Sequence, residues 1–326
     1  MRNTILAIGL CAITAGAAGY AVGAQGTDTK TERTLEVNQV ARVGQSIVTA
    51  EQFIERLMKY EKTLPPQRRN SNTALDSIVA ERLLELEAER LEARPKLREI
   101  TLEREAIIAD VDARFKRTNK ELADHQKSRG LPEKGYTWTE FLRLAFDMTE
   151  PEFLKMAEDL ARNRLLQRMV IGYWEMATVR SDCFGIYMQS KTTLEEVRKQ
   201  LVAGADITSL APKHSEDKHS ADKKGFIGTV YPNDGSLERV VDEAFWKLEE
   251  NQFSELIAVG DGWWLLQRRA TYVPNKAAFF DVREELLAKP NVDQRRIDRW
   301  RFAMASSERY AWERRMPGLD CIADQK

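Results

Sequence analysis

The chain has 326 residues, 31% of them charged and 43% hydrophobic, with 50 Lys and Arg against 51 Asp and Glu. A formal net charge of -1 excludes the broad basic excess of a nucleic-acid binder. Aromatics and aliphatics recur along the whole length, which excludes wholesale disorder and leaves a soluble globular protein with room for one to three domains.

Residues 1–24 stand apart. "MRNTILAIGLCAITAGAAGYAVGA" carries one early positive charge, Arg2, and then an uncharged run ending in Val22-Gly23-Ala24, small residues of the kind a signal peptidase cuts after. The run is also just long enough to span a bilayer as an uncleaved anchor. Its richness in Ala and Gly makes it a weak spanning helix, which favours cleavage. On either reading the protein is exported, to the periplasm or cell envelope, and touches a membrane only if the segment is kept. Cys11 follows Leu10 and sits too early to read as a lipid-attachment cysteine. Export leaves Cys183 and Cys321 in an oxidising compartment, where a bridge between them would be worth roughly 2–4 kcal/mol. Two unpaired thiols, with Cys183 buried, is the other outcome.

Residues 25–36 are polar, without apolar spacing, and read as a flexible leader. "VARVGQSIVTAEQFIERL" reads as a short strand, a Gly turn and a helix, with Thr49 and Gln52 spaced as a capping box. "LPPQRR" ends that helix, since two prolines cannot continue it. "LDSIVAERLLELEAERLEA" sets Leu75, Ile78, Val79, Leu83 and Leu86 among Glu/Arg pairs, a helix with an acid–base solvent face. Pro95 interrupts it, and a second amphipathic stretch runs from about Leu97 to Leu122. "SRGLPEKG" is a loop. "TWTEFLRLAFDM" and "EPEFLKMAEDLARNRLLQRMVIGYWEM" give two further helices. The apolar residues Trp138, Phe141, Phe146, Phe153, Tyr173 and Trp174 are either an exposed client-binding surface or ordinary helix packing.

The pattern changes at Thr178. "VRSDCFGIYM" is strand-like, "TLEEVRKQLVAG" helical, "ADITSLAPKHS" a short helix or turn, and "GFIGTVYP" strand-like again. "SLERVVDEAFWKL" is helical, and "FSELIAVGDGWWLLQRRATYV" reads as two strands around Gly260-Asp261-Gly262. This order makes a small α+β domain with helices packed on an antiparallel sheet. Beyond "VPNKAAFF" a helix places Ile297, Trp300, Met304 and Trp312 among arginines. A lone terminal helix has little to bury itself against, so it is expected to dock on the N-terminal helices.

The α+β stretch resembles the parvulin (PpiC-type) family of peptidyl-prolyl cis-trans isomerases. The resemblance is carried by "VRSDCFGIYM", "AGADITSLAPKHSED", "KKGFIG" and "LERVVDEAFWKLEENQFSELIAVGDGWWLLQRR" in that order. "VARVGQSIVTAEQF" and "LDSIVAERLLELEAERL" are similar to the N-terminal helical module of SurA- and PrsA-type exported foldases. The implied organisation is a signal peptide (1–24), a leader (25–36), a helical chaperone-like module (37–177), an inserted parvulin-like domain (178–273) and a C-terminal helix (274–326) completing the module. The implied partner is unfolded or extended polypeptide, with proline-containing segments as the domain's own ligand.

The family's site residues carry over position by position. An active parvulin has two histidines on adjacent central strands, a Cys or Asp in the loop after the second helix, and an apolar proline pocket. The first histidine position falls on Cys183. The second falls on Trp264, or on Trp263 in a register one residue away. The loop position is Asp217, which matches. Leu237 and Val241 take pocket positions where relatives often have Met and Phe, and Phe226 and Trp264 complete the implied substrate-binding set. Isomerisation breaks no covalent bond and needs no cofactor. It lowers a rotational barrier of roughly 18–20 kcal/mol by holding the twisted amide in a dry, charge-balanced pocket. Losing both histidines weakens that polar network, so the resemblance implies a domain that binds better than it catalyses. An active isomerase using Asp217 and Cys183, and an envelope scaffold without clients, remain the alternatives.

The stretch "KHSEDKHSADKKGFIG" (213–228) holds two of the chain's three histidines. Asp217 either faces the pocket or caps the loop by accepting from backbone N–H groups. His214 and His219 read as solvent-facing, and a metal site built from them with Asp217 lacks the spacing and a fourth ligand. Lys223 and Lys224 stand where many relatives carry glycines.

Overall fold

The computed structural model describes residues 38–63, 71–132, 134–307, 309–310 and 312–314. The expected signal peptide, the leader, the break at "LPPQRR" and Cys321 lie outside them.

The first elements are β1 (Gln39–Val43), β2 (Ser46–Thr49) and α1 (Ala50–Thr63). The sequence reading of one strand and a helix is corrected here. Gly44 takes a left-handed φ of 58°, which closes a hairpin and makes Ser46–Thr49 a second strand. The capping box at the start of α1 forms as its spacing predicts. Thr49 N–H donates to Gln52 Oε1 (3.1 Å), and Gln52 N–H donates to Thr49 Oγ1 (3.3 Å).

Four helices follow: α2 (Ser71–Arg90), α3 (Leu97–Ser128), α4 (Trp138–Phe146) and α5 (Glu150–Ala177). Thr137 and Glu140 cap α4 in the same reciprocal way, and Thr149 with Glu152 guards the start of α5. Phe141, Leu142 and Phe153 are buried, with Trp138, Phe146 and Phe115 packed against them. These aromatics therefore realise ordinary helix packing. The partner is Phe115 on α3, whose ring lies 5.4 Å from Trp138 and 5.3 Å from Phe141.

Next come β3 (Arg180–Met188), α6 (Lys191–Val202), α7 (Ile207–His214), α8 (Lys218–Asp222), β4 (Phe226–Val230), α9 (Arg239–Phe245), β5 (Ile257–Val259) and β6 (Gly262–Tyr272). The strands form one antiparallel sheet in the order β4-β3-β6-β5. Alternation along β3 and β6 gives each face its own core. Ile186, Met188 and Leu265 bury against Leu194, Val197 and Leu201 of α6 and Ile207 and Leu210 of α7. Cys183 and Leu266 bury against Val241 and Phe245 of α9.

The last elements among the described residues are α10 (Phe279–Ala288), α11 (Gln294–Ala305) and β7 (Trp312–Arg314). Trp312, expected on the terminal helix, instead lies in a strand that pairs with β1 in a sheet of order β2-β1-β7. The helical signal stops at Ala305.

The chain divides into two compact units. One takes the described residues up to Gly172, with Val282–Ile297 and β7. The other takes Tyr173–Asp281 with Asp298–Tyr310. In the first, Arg283 forks onto Glu99 (2.9 and 2.7 Å), which ties α10 to α3. Trp300 and Met304, which the sequence reading sends to the N-terminal helices, group with the sheet-bearing unit.

Lys224 carries a left-handed φ of 55° at the turn before β4. A side chain there costs about 1 kcal/mol that glycine does not incur. Lys224→Gly is accordingly expected to raise stability by about 0.5–1 kcal/mol, read as a higher urea midpoint at unchanged slope. A lower midpoint would contradict the strain.

Candidate functional site

Of the six residues singled out, four meet on one face of the sheet. Cys183 and Val241 are buried in one apolar cluster, and Leu237 and Trp264 pack half-buried against it. The register explains the meeting. Residues 183, 185 and 187 alternate onto the same face of β3, and Tyr187 lies opposite Trp264 on β6. Their rings stand 5.3 Å apart.

The floor between them is filled. A methyl group added at Gly185 would come within 2.7 Å of Ile227 Cδ1, 3.0 Å of Leu266 Cδ2 and 3.1 Å of Trp264 Cε3. Ile227, Leu266 and Trp264 therefore fill the space that Gly185 leaves for lack of a side chain. At the rim, the Tyr187 ring covers Gly262 at a distance no side chain there could share. The Tyr187 hydroxyl donates to Asp261 Oδ1 (3.0 Å), and Gln189 Nε2 donates to Asp261 Oδ2 (3.2 Å).

Cys183 is wholly buried and unbridged. Burial, helped by the nearby Asp242 charge, pushes its thiol far above the ordinary cysteine range, so it stays protonated and presents no nucleophile. Asp242 itself is buried. That burial lifts its carboxyl to about 6, against hydrogen bonds from Asn233 N–H and Trp246 Nε1–H (3.1 Å each) that favour the charged form.

Asp217 takes the capping role. It is the N-cap of α8, and its Oδ2 accepts from Ser220 N–H at 2.8 Å. The loop it belongs to is fastened to β3, where Glu216 N–H donates to the Tyr187 carbonyl (2.8 Å) and Tyr187 N–H donates to Ser215 Oγ (3.2 Å). Phe226 departs from the expected set. It sits opposite Phe184 on β3, with rings 5.3 Å apart, and Phe184 belongs to the cluster on the other face. His214 ends α7 half-buried. His219 lies exposed within α8, 3.1 Å from Lys223 Nζ, so both belong to helices instead of a loop.

Tyr187, Gly185 and Ile227 complete this face and were not singled out from sequence. Counting by twos from Cys183 along β3 reaches Gly185 and Tyr187. Nothing in the sequence signals Ile227. The assembled face is an apolar platform with a polar rim. Among the described residues that line it there is no imidazole.

A four-stranded antiparallel sheet with two helices on one face and one on the other, bearing this platform, defines the class. Residues 187–270 match the PPIC-type PPIASE domain of the rotamase family. The chain thus carries a parvulin-type peptidyl-prolyl cis-trans isomerase domain, within a sequence related to the SurA and PrsA folding factors. It is 35% identical over 108 residues to the chaperone SurA of Methylococcus capsulatus, a match covering 32% of this chain and only 23% of that one. It is 21% identical over 262 residues to the foldase protein PrsA of Clostridium botulinum, covering 77% of each. Among solved structures it matches the peptidylprolyl isomerase PrsA of Bacillus cereus, with 16% identity and a TM-score of 0.33 over 80% of this chain and 84% of that one.

Proposed function

We propose that the chain is an extracytoplasmic foldase that holds non-native polypeptide, in which the parvulin-type domain binds proline-containing segments and catalyses their isomerisation weakly or not at all. The observation that carries this reading is the pair of residues at the two family histidine positions. Cys183 is sealed in the core, and Trp264 lies over Gly185 as part of the apolar platform. Such a surface can bind a proline ring through buried apolar area. It offers the twisted amide few polar groups to balance its charge. The chaperone and foldase names of the relatives support the wider role, with the helical module (37–177) as client holder and the parvulin-like domain (178–273) as the proline-binding part. The exported location rests on residues 1–24. No helix among the described residues is long and apolar enough to cross a membrane.

The test is cis-to-trans isomerisation of a short Xaa-Pro peptide by the chain lacking residues 1–24, beside its Asp217→Ala variant. General acid–base groups typically contribute about 10²–10⁴-fold. Catalysis is expected to be at most marginal. Asp217→Ala should change it little, while losing about 1 kcal/mol of stability as α8 loses its cap. Strong catalysis abolished in the variant would overturn the weak-enzyme reading. Failure to slow the aggregation of an unfolded client would overturn the foldase reading.

A further inference from the structure

Resting on the parvulin-type reading above, we propose that Arg299, some thirty residues beyond the matched domain, is a positioning residue for the proline-peptide site. It would act by holding the β4–α9 connection that carries Leu237 into place.

The connection, 231–238, is organised around one carboxylate. Asp234 is buried, 1% exposed. Its Oδ2 accepts from Tyr231 N–H (3.1 Å) and its Oδ1 from Ser236 N–H (2.9 Å). These bonds fold the chain back on itself just before Leu237. A buried carboxylate with only neutral donors is unfavourable, and a cation beside it removes that penalty. Arg299, on α11, supplies the cation. Its Nε donates to Asp234 Oδ2 at 2.7 Å, and its Nη2 lies 2.6 Å from the same oxygen.

The same guanidinium makes two further attachments. Nη2 donates to the Thr229 carbonyl (2.5 Å) at the end of β4, and the planar group lies over the Tyr231 ring, 4.9 Å from its centre. One side chain thus ties the end of the strand, the first loop residue and the buried acid together, as a planar fork can and an ammonium cannot. A second contact from the same helix fixes the far end of the turn. Gly235 has a left-handed φ of 73°, and a methyl group there would come within 2.8 Å of the Phe302 ring. From Gly235 it is two residues to Leu237 and six to Val241, so an anchored turn sets where α9 begins and how Leu237 packs against the cluster that holds Cys183 and Val241.

The experiment uses the full chain and three variants, Arg299→Ala, Arg299→Lys and the double Arg299→Ala/Asp234→Asn. Amide hydrogen exchange is followed over 229–238 and over β3 and β6, with binding of a fluorescent proline-containing peptide measured in parallel. Arg299→Ala is expected to speed exchange over 229–238 and to weaken peptide binding, each by about tenfold, with β3 and β6 unchanged. Lysine should rescue only part of both effects. The double variant removes the unpaired buried charge, so its unfolding midpoint should recover while loop exchange and peptide binding stay impaired. Recovery of all three would reduce Arg299 to a charge neutraliser and overturn the proposal. So would unchanged exchange over 229–238 in Arg299→Ala, whatever the peptide does. Wild-type chain that binds no proline peptide would instead sink the functional reading, and exchange alone would then decide the tether.

Discussion

Replacing Cys183 with histidine is expected to destabilise the protein by about 3 kcal/mol and to bring no isomerase activity. Histidine is the residue that the parvulin resemblance implies at this position, and the packing opposes it. Cys183 is 0% exposed and shares its cluster with Val241, Phe245 and Leu266, all buried. An imidazole is several atoms larger than a thiol, and interiors are too dense to absorb the excess without moving a neighbour. Its ring nitrogens would also need partners. The adjacent acid, Asp242, already accepts one hydrogen bond on each oxygen, from Asn233 and from Trp246. Urea unfolding gives the stability, and the Xaa-Pro peptide assay gives the activity. A variant that unfolds at the wild-type midpoint, or that accelerates isomerisation, would show that this face has room for an imidazole after all.

Stability is expected to fall as pH rises from about 4 to about 6, and Asp242→Asn should abolish that component. Burial raises the folded carboxyl of Asp242 from 3.8 to about 6. Between those values the native state binds more protons than the unfolded state, so each step up in pH favours unfolding. The penalty is absent below the unfolded value and fully present above the folded one, where a gap of this size corresponds to about 2–3 kcal/mol. Asparagine carries no charge but has one acceptor oxygen where the carboxylate has two. It therefore gives up one of the two hydrogen bonds, about 1 kcal/mol. The net expectation is a variant about 1–2 kcal/mol more stable than wild type at pH 8, with the advantage shrinking and reversing towards pH 4. Subtracting the two unfolding curves removes the contribution of every other carboxylate. Parallel curves across this range would mean that Asp242 titrates normally in the folded chain.

Both results concern a face whose members were largely legible and whose state was not. Cys183, Leu237, Val241 and Trp264 could be picked out because the resemblance to the parvulin family carries its site positions over onto them, segment by segment. Phe226 fell outside because a register irregularity between Cys183 and Phe184 sets it opposite Phe184, on the other face. Asp217 was left between two roles by its sequence. The structure gives the carboxylate to the Ser220 N–H, a bond that exists only once α8 has formed.

Local chemistry, then, is what the sequence by itself determined. The capping box at Thr49 and Gln52, the helical first half and the four strands of the second half all depend on residues a few positions apart or on segment order. Tertiary structure alone decided the rest, because it depends on groups far apart in the chain. Phe115 turns the aromatics of α4 and α5 from a surface into a core. Trp312 leaves its helical pattern to pair with β1, almost the whole chain away. Ile227 and Trp264 close over Gly185, and Arg299 reaches the buried Asp234. Periodicity reports which face of an element is apolar. It carries no information about which distant side chain will cover that face.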